Sequence, residues 1–166
     1  MVTFVSTPVD DPVAQGMLAE YFAERDATFP HTGAYRAVFP DPPRFRPPAG
    51  DFVIGYDDET EIGLGCGGVR RIDDEQAGDA GPLARFEIKH LWVRPDARGR
   101  GLGRLLLGEL ETRAARMGAR IAVLDTNESL EAAGALYRSA GYAAVDPYND
   151  NPNATHWFRK VLPVAS

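Results

Sequence analysis

The residues with the most chemical potential sit together, in Arg98-Gly99-Arg100-Gly101-Leu102-Gly103-Arg104, which places three arginines and three glycines in seven positions. The stretch follows an apolar run, Phe86 to Val93, and opens a helical pattern at Leu102, Leu105, Leu106, Leu110 and Ala114. A strand, a glycine turn and a helix in that order turn several backbone N–H groups outward at the positive end of a helix dipole. Glycine lets a phosphate approach the main chain closely, and arginine adds charge and paired donors. A polyanion is the expected guest. Two other nucleotide loops fit less well. A Walker loop ends in Gly-Lys-Ser/Thr, whereas Gly103 is followed by Arg104 and Leu105. A Rossmann fingerprint reads G-x-G-x-x-G, and Gly99-x-Gly101-x-x-Arg104 lacks the third glycine.

The rest of the composition narrows the setting. A chain of 166 residues, 44% apolar and 25% charged, has the size and balance of one globular domain with a proper core. Its net charge of −6 argues against a general nucleic-acid binder and makes the arginine cluster stand out. The acidic body also suits a cationic amine as a guest. The single cysteine, Cys66, excludes an intrachain disulfide and a Cys-rich zinc site, and reads as a small buried hydrophobe. No run reaches membrane-span length and no signal-peptide layout opens the chain, so a cytoplasmic protein is expected. His31, His90 and His156 show no metal-ligand spacing.

The elements that must position the loop follow from periodicity. Val2 to Ser6 reads as a strand. Asp11-Pro12 starts a helix that runs to about Arg25. Residues 29–50 hold six of the 13 prolines together with Phe29, Tyr35, Phe39 and Phe45. They read as an irregular aromatic segment, expected to wall a pocket. Residues 51–56 and 62–72 form a hairpin, with 73–82 a solvated turn. Residues 84–93 are the central strand, 101–117 a helix stopped by Gly118, and 121–124 a short buried strand. Asn127, or Asp125 with Glu128, caps a last helix ending at Gly141. Residues 142–145 and 155–161 close the sheet as a strand pair, joined by the Asn- and Asp-rich loop 148–153, a candidate rim. The alternation predicts an α/β domain with at least one parallel strand pair and some antiparallel ones.

Arg98-x-x-Gly101-x-Gly103 resembles the R/Q-x-x-G-x-G/A signature of the GCN5-related N-acetyltransferase (GNAT) superfamily. The resemblance implies a GNAT-like acyl-CoA N-acyltransferase fold, a central mixed sheet flanked by helices whose fourth and fifth strands splay apart. It implies one domain over 1–166, with 1–50 as the variable, acceptor-side part and 50–162 as the acetyl-CoA-binding core. Acetyl-CoA is the implied co-substrate, with no metal. Gly99, Arg100, Gly101, Leu102, Gly103 and Arg104, with Arg98, would hold its pyrophosphate. The main chain of Leu91, Trp92 and Val93 would meet the pantetheine and the thioester carbonyl, where an N–H stabilises the oxyanion.

Catalytic candidates follow from the same likeness. Glu87 lies 11 residues before Arg98, the offset of the base glutamate in the histone-acetylating branch. An attacking amine must be neutral, which is what a base or water relay provides. Strand parity puts Glu87 on one face with Lys89, Leu91 and Val93, and His90 on the other with Phe86, Ile88 and Trp92. Lys89 is placed to pair with Glu87, and Asp125 is an alternative base. Leu136-Tyr137-x-x-x-Gly141-Tyr142 resembles the family's LY-x-x-x-GF segment, whose tyrosine protonates the coenzyme A thiolate. Many members carry an asparagine seven residues before that tyrosine. Leu130 stands there, and Asn127 is the candidate substitute for the pantetheine contact. These residues imply an N-acetyltransferase acting on a primary amine of a small molecule or amino acid, as monomer or homodimer, without nucleic-acid or membrane partners. The alternatives are a protein N-terminal or lysine acetyltransferase of the same fold, or a non-catalytic acyl-CoA-binding regulatory domain.

Overall fold

The computed structural model describes residues 1–165. Seven strands form one mixed sheet: β1 (Val2–Ser6), β2 (Gly50–Asp57), β3 (Gly63–Gln76), β4 (Pro82–Val93), β5 (Ile121–Thr126), β6 (Ala143–Val145) and β7 (His156–Val161). Their spatial order is β1-β2-β3-β4-β5-β7-β6. Three helices cover it: α1 (Pro12–Thr28), α2 (Leu102–Arg116) and α3 (Glu131–Ser139). Among the described residues only β4 and β5 pair in parallel, and α2 makes the crossover that returns the chain in the same direction.

Alternation sorts the apolar side chains onto two faces. Phe86, Ile88, Val53 and Val69 pack with Leu107 and Leu110 of α2 and Tyr137 of α3. Phe52, Ile54, Cys66 and Trp92 point the other way, onto Met17 and Leu18 of α1. The glycines of β3 serve this close layering. A Cβ on Gly65 would lie 2.6 Å from the Trp92 carbonyl oxygen and 3.0 Å from Leu106 Cδ1.

α1 starts as its sequence dictates: Pro12 occupies the first turn and the Asp11 carboxylate accepts from Val13 N–H at 2.9 Å. Two boundaries differ from expectation. β3 continues through a register shift to Gln76, so the first four residues of the acidic stretch 73–82 are strand rather than turn. α3 begins at Glu131, not near Asn127, with Leu130 at its cap position and no side-chain capping bond.

Candidate active site

β4 and β5 pair only at Arg85↔Ile121, Phe86↔Ala122 and Glu87↔Val123. Beyond these the strands part: β4 continues against β3 and β5 against β7. The β5-facing edge of residues 88–93 is left without a strand partner. A cavity of about 590 Å³ lies at this gap. Its wall includes Leu124, Asp125 and Tyr137 on the gap side, and Tyr21 and Phe22 of α1 opposite. Phe29, Tyr35, Phe39 and Phe45 line it too, as expected of the aromatic segment.

One strand irregularity rearranges the site. β4 spends two residues, His90 and Leu91, where β3 spends only Gly67, between the pairs Gly68↔Lys89 and Cys66↔Trp92. This is a β-bulge, and His90 sits in it at φ 57. The extra residue reverses side-chain parity. Glu87 and Lys89 share the α1 face, but past the bulge Leu91 and Val93 turn to the α2 face. His90 and Trp92 join Glu87's side. The expected grouping of Glu87 with Leu91 and Val93, opposite His90, is therefore wrong.

The His90 ring packs 5.6 Å from Tyr21, 5.7 Å from Phe22 and 6.0 Å from Phe45, and its buried Nδ1 has no partner. Burial, then the Lys89 and Arg70 charges, lowers its pKa to about 3. The ring is neutral at physiological pH. Since an unfolded histidine takes up its proton near pH 6.5, the unfolded chain binds more protons between those values. His90's contribution to stability is full above pH 6.5 and is lost as pH falls toward 3. His90→Asn, which tolerates the positive φ, should therefore flatten the fall in Tm between pH 7 and 5 seen by calorimetry. Equal slopes for parent and variant would contradict this.

Glu87 is 1% exposed and does not line the cavity. Its Oε1 accepts from Arg70 Nε at 3.0 Å, and Arg70 NH2 lies 2.9 Å from the same oxygen. Its Oε2 accepts from the Tyr148 hydroxyl at 2.6 Å and from Asn149 Nδ2 at 3.3 Å, with Lys89 Nζ at 3.5 Å. Every lone pair has a donor at hand. Asp125 does line the cavity, held by Lys89 Nζ at 3.1 and 3.3 Å and by Asn149 Nδ2 at 2.7 Å. Trp157 Nε1 in turn fixes the Asn149 carbonyl at 2.8 Å. Two cations and two carboxylates thus form one neutral network, in which Asp125, and not Glu87, is the carboxylate that lines the cavity.

Tyr137 reaches the same cavity from α3, its ring 6.1 Å from Tyr142 and 6.0 Å from Phe158. Burial, aided by Tyr21 and Asp125, pushes its phenol pKa well above the usual value, so the proton stays on. Asn127 ties two loops together: its Oδ1 accepts from Ser129 N–H at 3.0 Å and its Nδ2 donates to the Asn153 carbonyl of the β6–β7 loop at 3.0 Å. Its expected role as helix cap is not what the structure has. Cys66 is inert, burial having raised its thiol pKa to about 12.

The glycine-arginine loop takes the expected strand–turn–helix form. Gly99 and Gly101 hold φ of 80° and 77°, and Gly101 caps α2 without any side-chain hydrogen bond. The arginines differ from one another. Arg98 is ion-paired although 45% of its side chain stays exposed: its Nε donates to Val93 O at 2.9 Å and its NH2 to both Glu24 oxygens at 2.8 and 2.7 Å. Its charge clamps α1 to the end of β4. Arg100 and Arg104 are exposed, their guanidinium groups meeting only the Asp96 carbonyl and the Ser139 hydroxyl.

The model of the acetyltransferase (GNAT) family matches residues 15–142. The chain belongs to the GNAT family. An uncharacterized N-acetyltransferase of Schizosaccharomyces pombe is 33% identical over 154 residues, 91% of this chain and 87% of that one. The fold is likewise that of solved GNAT structures. A Staphylococcus aureus GNAT acetyltransferase superposes with a TM-score of 0.76 at 14% identity, covering 98% of this chain and all of the other (100%). A phosphinothricin acetyltransferase from Sinorhizobium meliloti, solved with acetyl-CoA, gives 0.64 at 18% identity over 97% and 88% of the two chains.

Within this GNAT domain, the expected pairing of Lys89 with Glu87 is present at 3.5 Å, whereas the sequence reading missed how Arg70, Tyr148 and Asn149 converge on the two carboxylates and how Lys89 also reaches Asp125. No group of three or more His, Cys, Asp or Glu among the described residues is arranged to hold a metal ion. No helix among them is long and apolar enough to cross a membrane.

Proposed function

We propose that this GNAT chain is an N-acetyltransferase that moves the acetyl group of acetyl-CoA to a primary amine of a small molecule or amino acid. The observation that carries the reading is the convergence of Asp125 and Tyr137 on one cavity at the parting of β4 and β5. The pyrophosphate would rest on the amides from Gly99 to Arg104, with Arg100 and Arg104 adding charge. No side chain caps that helix end, which supports the fit. The unpartnered edge of β4 at Leu91, Trp92 and Val93 would receive the pantetheine and offer an N–H to the carbonyl oxygen.

Asp125 then accepts the proton of the incoming ammonium, directly or through water, and the neutral amine attacks the thioester carbon. As the C–S bond breaks, Tyr137 gives its proton to the departing thiolate. Glu87, saturated and out of the cavity, is a positioning residue that holds Lys89 and Asn149 against Asp125. A small-molecule acceptor is favoured over a protein chain because the segment 29–45 and the loop around Asn153 enclose the cavity from two sides. They are joined there by Arg36 N–H to Asn153 Oδ1 at 3.0 Å and Asn153 Nδ2 to Arg36 O at 2.8 Å.

The test has two parts. Release of coenzyme A thiol in the presence of an amine panel separates an enzyme from an acyl-CoA-binding domain. Gly101→Asp adds a like charge to the phosphate seat and strains a φ of 77°. Coenzyme A affinity by calorimetry should fall at least tenfold, with the fold intact by circular dichroism. Undiminished affinity would remove the loop from the reading.

A further inference from the structure

The acidic net charge suggests a cationic guest, but the cavity wall has the opposite character. Of its basic residues, Arg70 is neutralised by Glu87, and Lys89 by Glu87 and Asp125. Arg25, Arg36 and Arg44 also line the cavity, and none forms an ion pair among the described residues. Against these three cations stands one further lining carboxylate, Asp41. A chain of net charge −6 has thus gathered unpaired guanidinium groups around one hollow. Low-dielectric walls strengthen the field of such a cluster.

Arg25 is the best placed of the three. It projects from the last turn of α1, is part-buried, and lies over the Tyr21 ring at 5.1 Å. Tyr21 in turn abuts His90 in the bulge. Arg25, Asp125 and Tyr137 line the same cavity, so a group bound to Arg25 shares it with the reacting centre, and Tyr21, Phe22 and Phe45 make the wall beside it aromatic.

We infer that the acceptor is an apolar or aromatic α-amino acid, whose carboxylate pairs with Arg25 while its α-amine faces Asp125 and its side chain lies among Tyr21, Phe22 and Phe45. The inference rests on the N-acetyltransferase reading and specifies its acceptor. Arginine matches a carboxylate with two parallel N–H donors. Arg36 and Arg44, which also line the cavity and are more exposed than Arg25, add to the field that draws the anion in. The same cations work against a bound ammonium, which eases loss of its proton before attack. Polyamines, with charge and no carboxylate, are disfavoured on both counts.

The experiment compares phenylalanine, methionine and leucine with their carboxamides, with phenethylamine and with spermidine, by thiol release at saturating acetyl-CoA. The free acids should exceed their amides at least tenfold in kcat/KM, and spermidine should be the poorest. Arg25→Gln should pull the acid-to-amide ratio down by about ten- to a hundredfold, the worth of a charged hydrogen bond. A second arm needs no turnover: N-acetylphenylalanine and its amide are titrated into the coenzyme A complex. The acid should bind at least tenfold tighter, an advantage that Arg25→Gln removes. Acetylation of phenethylamine or spermidine with no preference for acids overturns the inference and leaves the transferase reading standing. Tight, Arg25-dependent binding of the N-acetyl acid with no thiol release for any amine overturns the transferase reading, and the inferred acceptor with it, while keeping Arg25 as a carboxylate site. Weaker coenzyme A binding by Arg25→Gln would assign the arginine to the donor and overturn the inference as well.

Discussion

Asp125→Asn is expected to lower kcat near neutral pH by roughly 10²–10⁴, the usual worth of a positioned base, with coenzyme A affinity retained. The replacement keeps the shape and can still accept from Lys89, but it cannot hold a proton taken from the amine. The loss should shrink as pH rises, because free amine then forms without help. Glu87→Gln should give the opposite pattern. Its carboxylate is 1% exposed and every contact it makes is to the protein's own donors, so kcat should change by less than about tenfold. Stability should suffer instead, since Arg70 and Lys89 would face each other with one carboxylate fewer. Breaking a fully buried pair costs about 3–5 kcal/mol. Arg70 keeps 26% of its side chain in solvent, which brings the expected figure to about 2–3 kcal/mol by denaturant unfolding. If Glu87→Gln shows the pH-rescued loss and Asp125→Asn does not, the base is Glu87.

The proposed preference for Asp125 over Glu87 comes from burial and cavity lining, which is where reading the sequence stops. The strands, the helices and the glycine loop were legible because each rests on local chemistry: alternation, the leucine stripe of α2, Asp11-Pro12, and glycines where φ is positive. The bulge at His90 was not legible: Phe86, Ile88 and Trp92 are all apolar at even positions, and Leu91-Trp92-Val93 is apolar throughout, so no slip in alternation shows. The polar network was not legible. Arg70, Glu87, Asp125 and Asn149 come from β3, β4, β5 and the loop after β6, and only the sheet order brings them together. Arg98 is a similar case. Its spacing marks it as part of the loop signature, but its partner is Glu24, 74 positions earlier on α1. Local pattern finds the loop, whereas tertiary pairing decides which of its charges remain available.

Tyr137→Phe is expected to lower kcat by about 10², in a way that raising the pH does not repair. The phenol lines the cavity, and among the described residues it makes no hydrogen bond that would compete for its proton. Its raised pKa looks at first like a handicap, since a thiol in water titrates near 8.5 and a weaker acid gives up its proton less readily. The comparison with water is the wrong one. A thiolate released beside Tyr137 is formed in the same low-dielectric surroundings, which also disfavour its charge. Cys66 gives the scale of that effect within this protein: burial lifts its thiol to about 12. The two groups are therefore shifted in the same direction, and transfer from phenol to thiolate is far less uphill than their values in water imply. Removing the hydroxyl leaves the thiolate to depart as a buried anion or to find a water. Higher pH supplies hydroxide, not acid, so the Tyr137→Phe deficit should persist or grow where Asp125→Asn recovers. Coenzyme A binding by calorimetry should stay within about twofold of the parent, a difference under about 0.5 kcal/mol. A Tyr137→Phe enzyme with parental kcat from pH 6 to 9 would show that water protonates the leaving thiolate and that the tyrosine only packs against Tyr142 and Phe158.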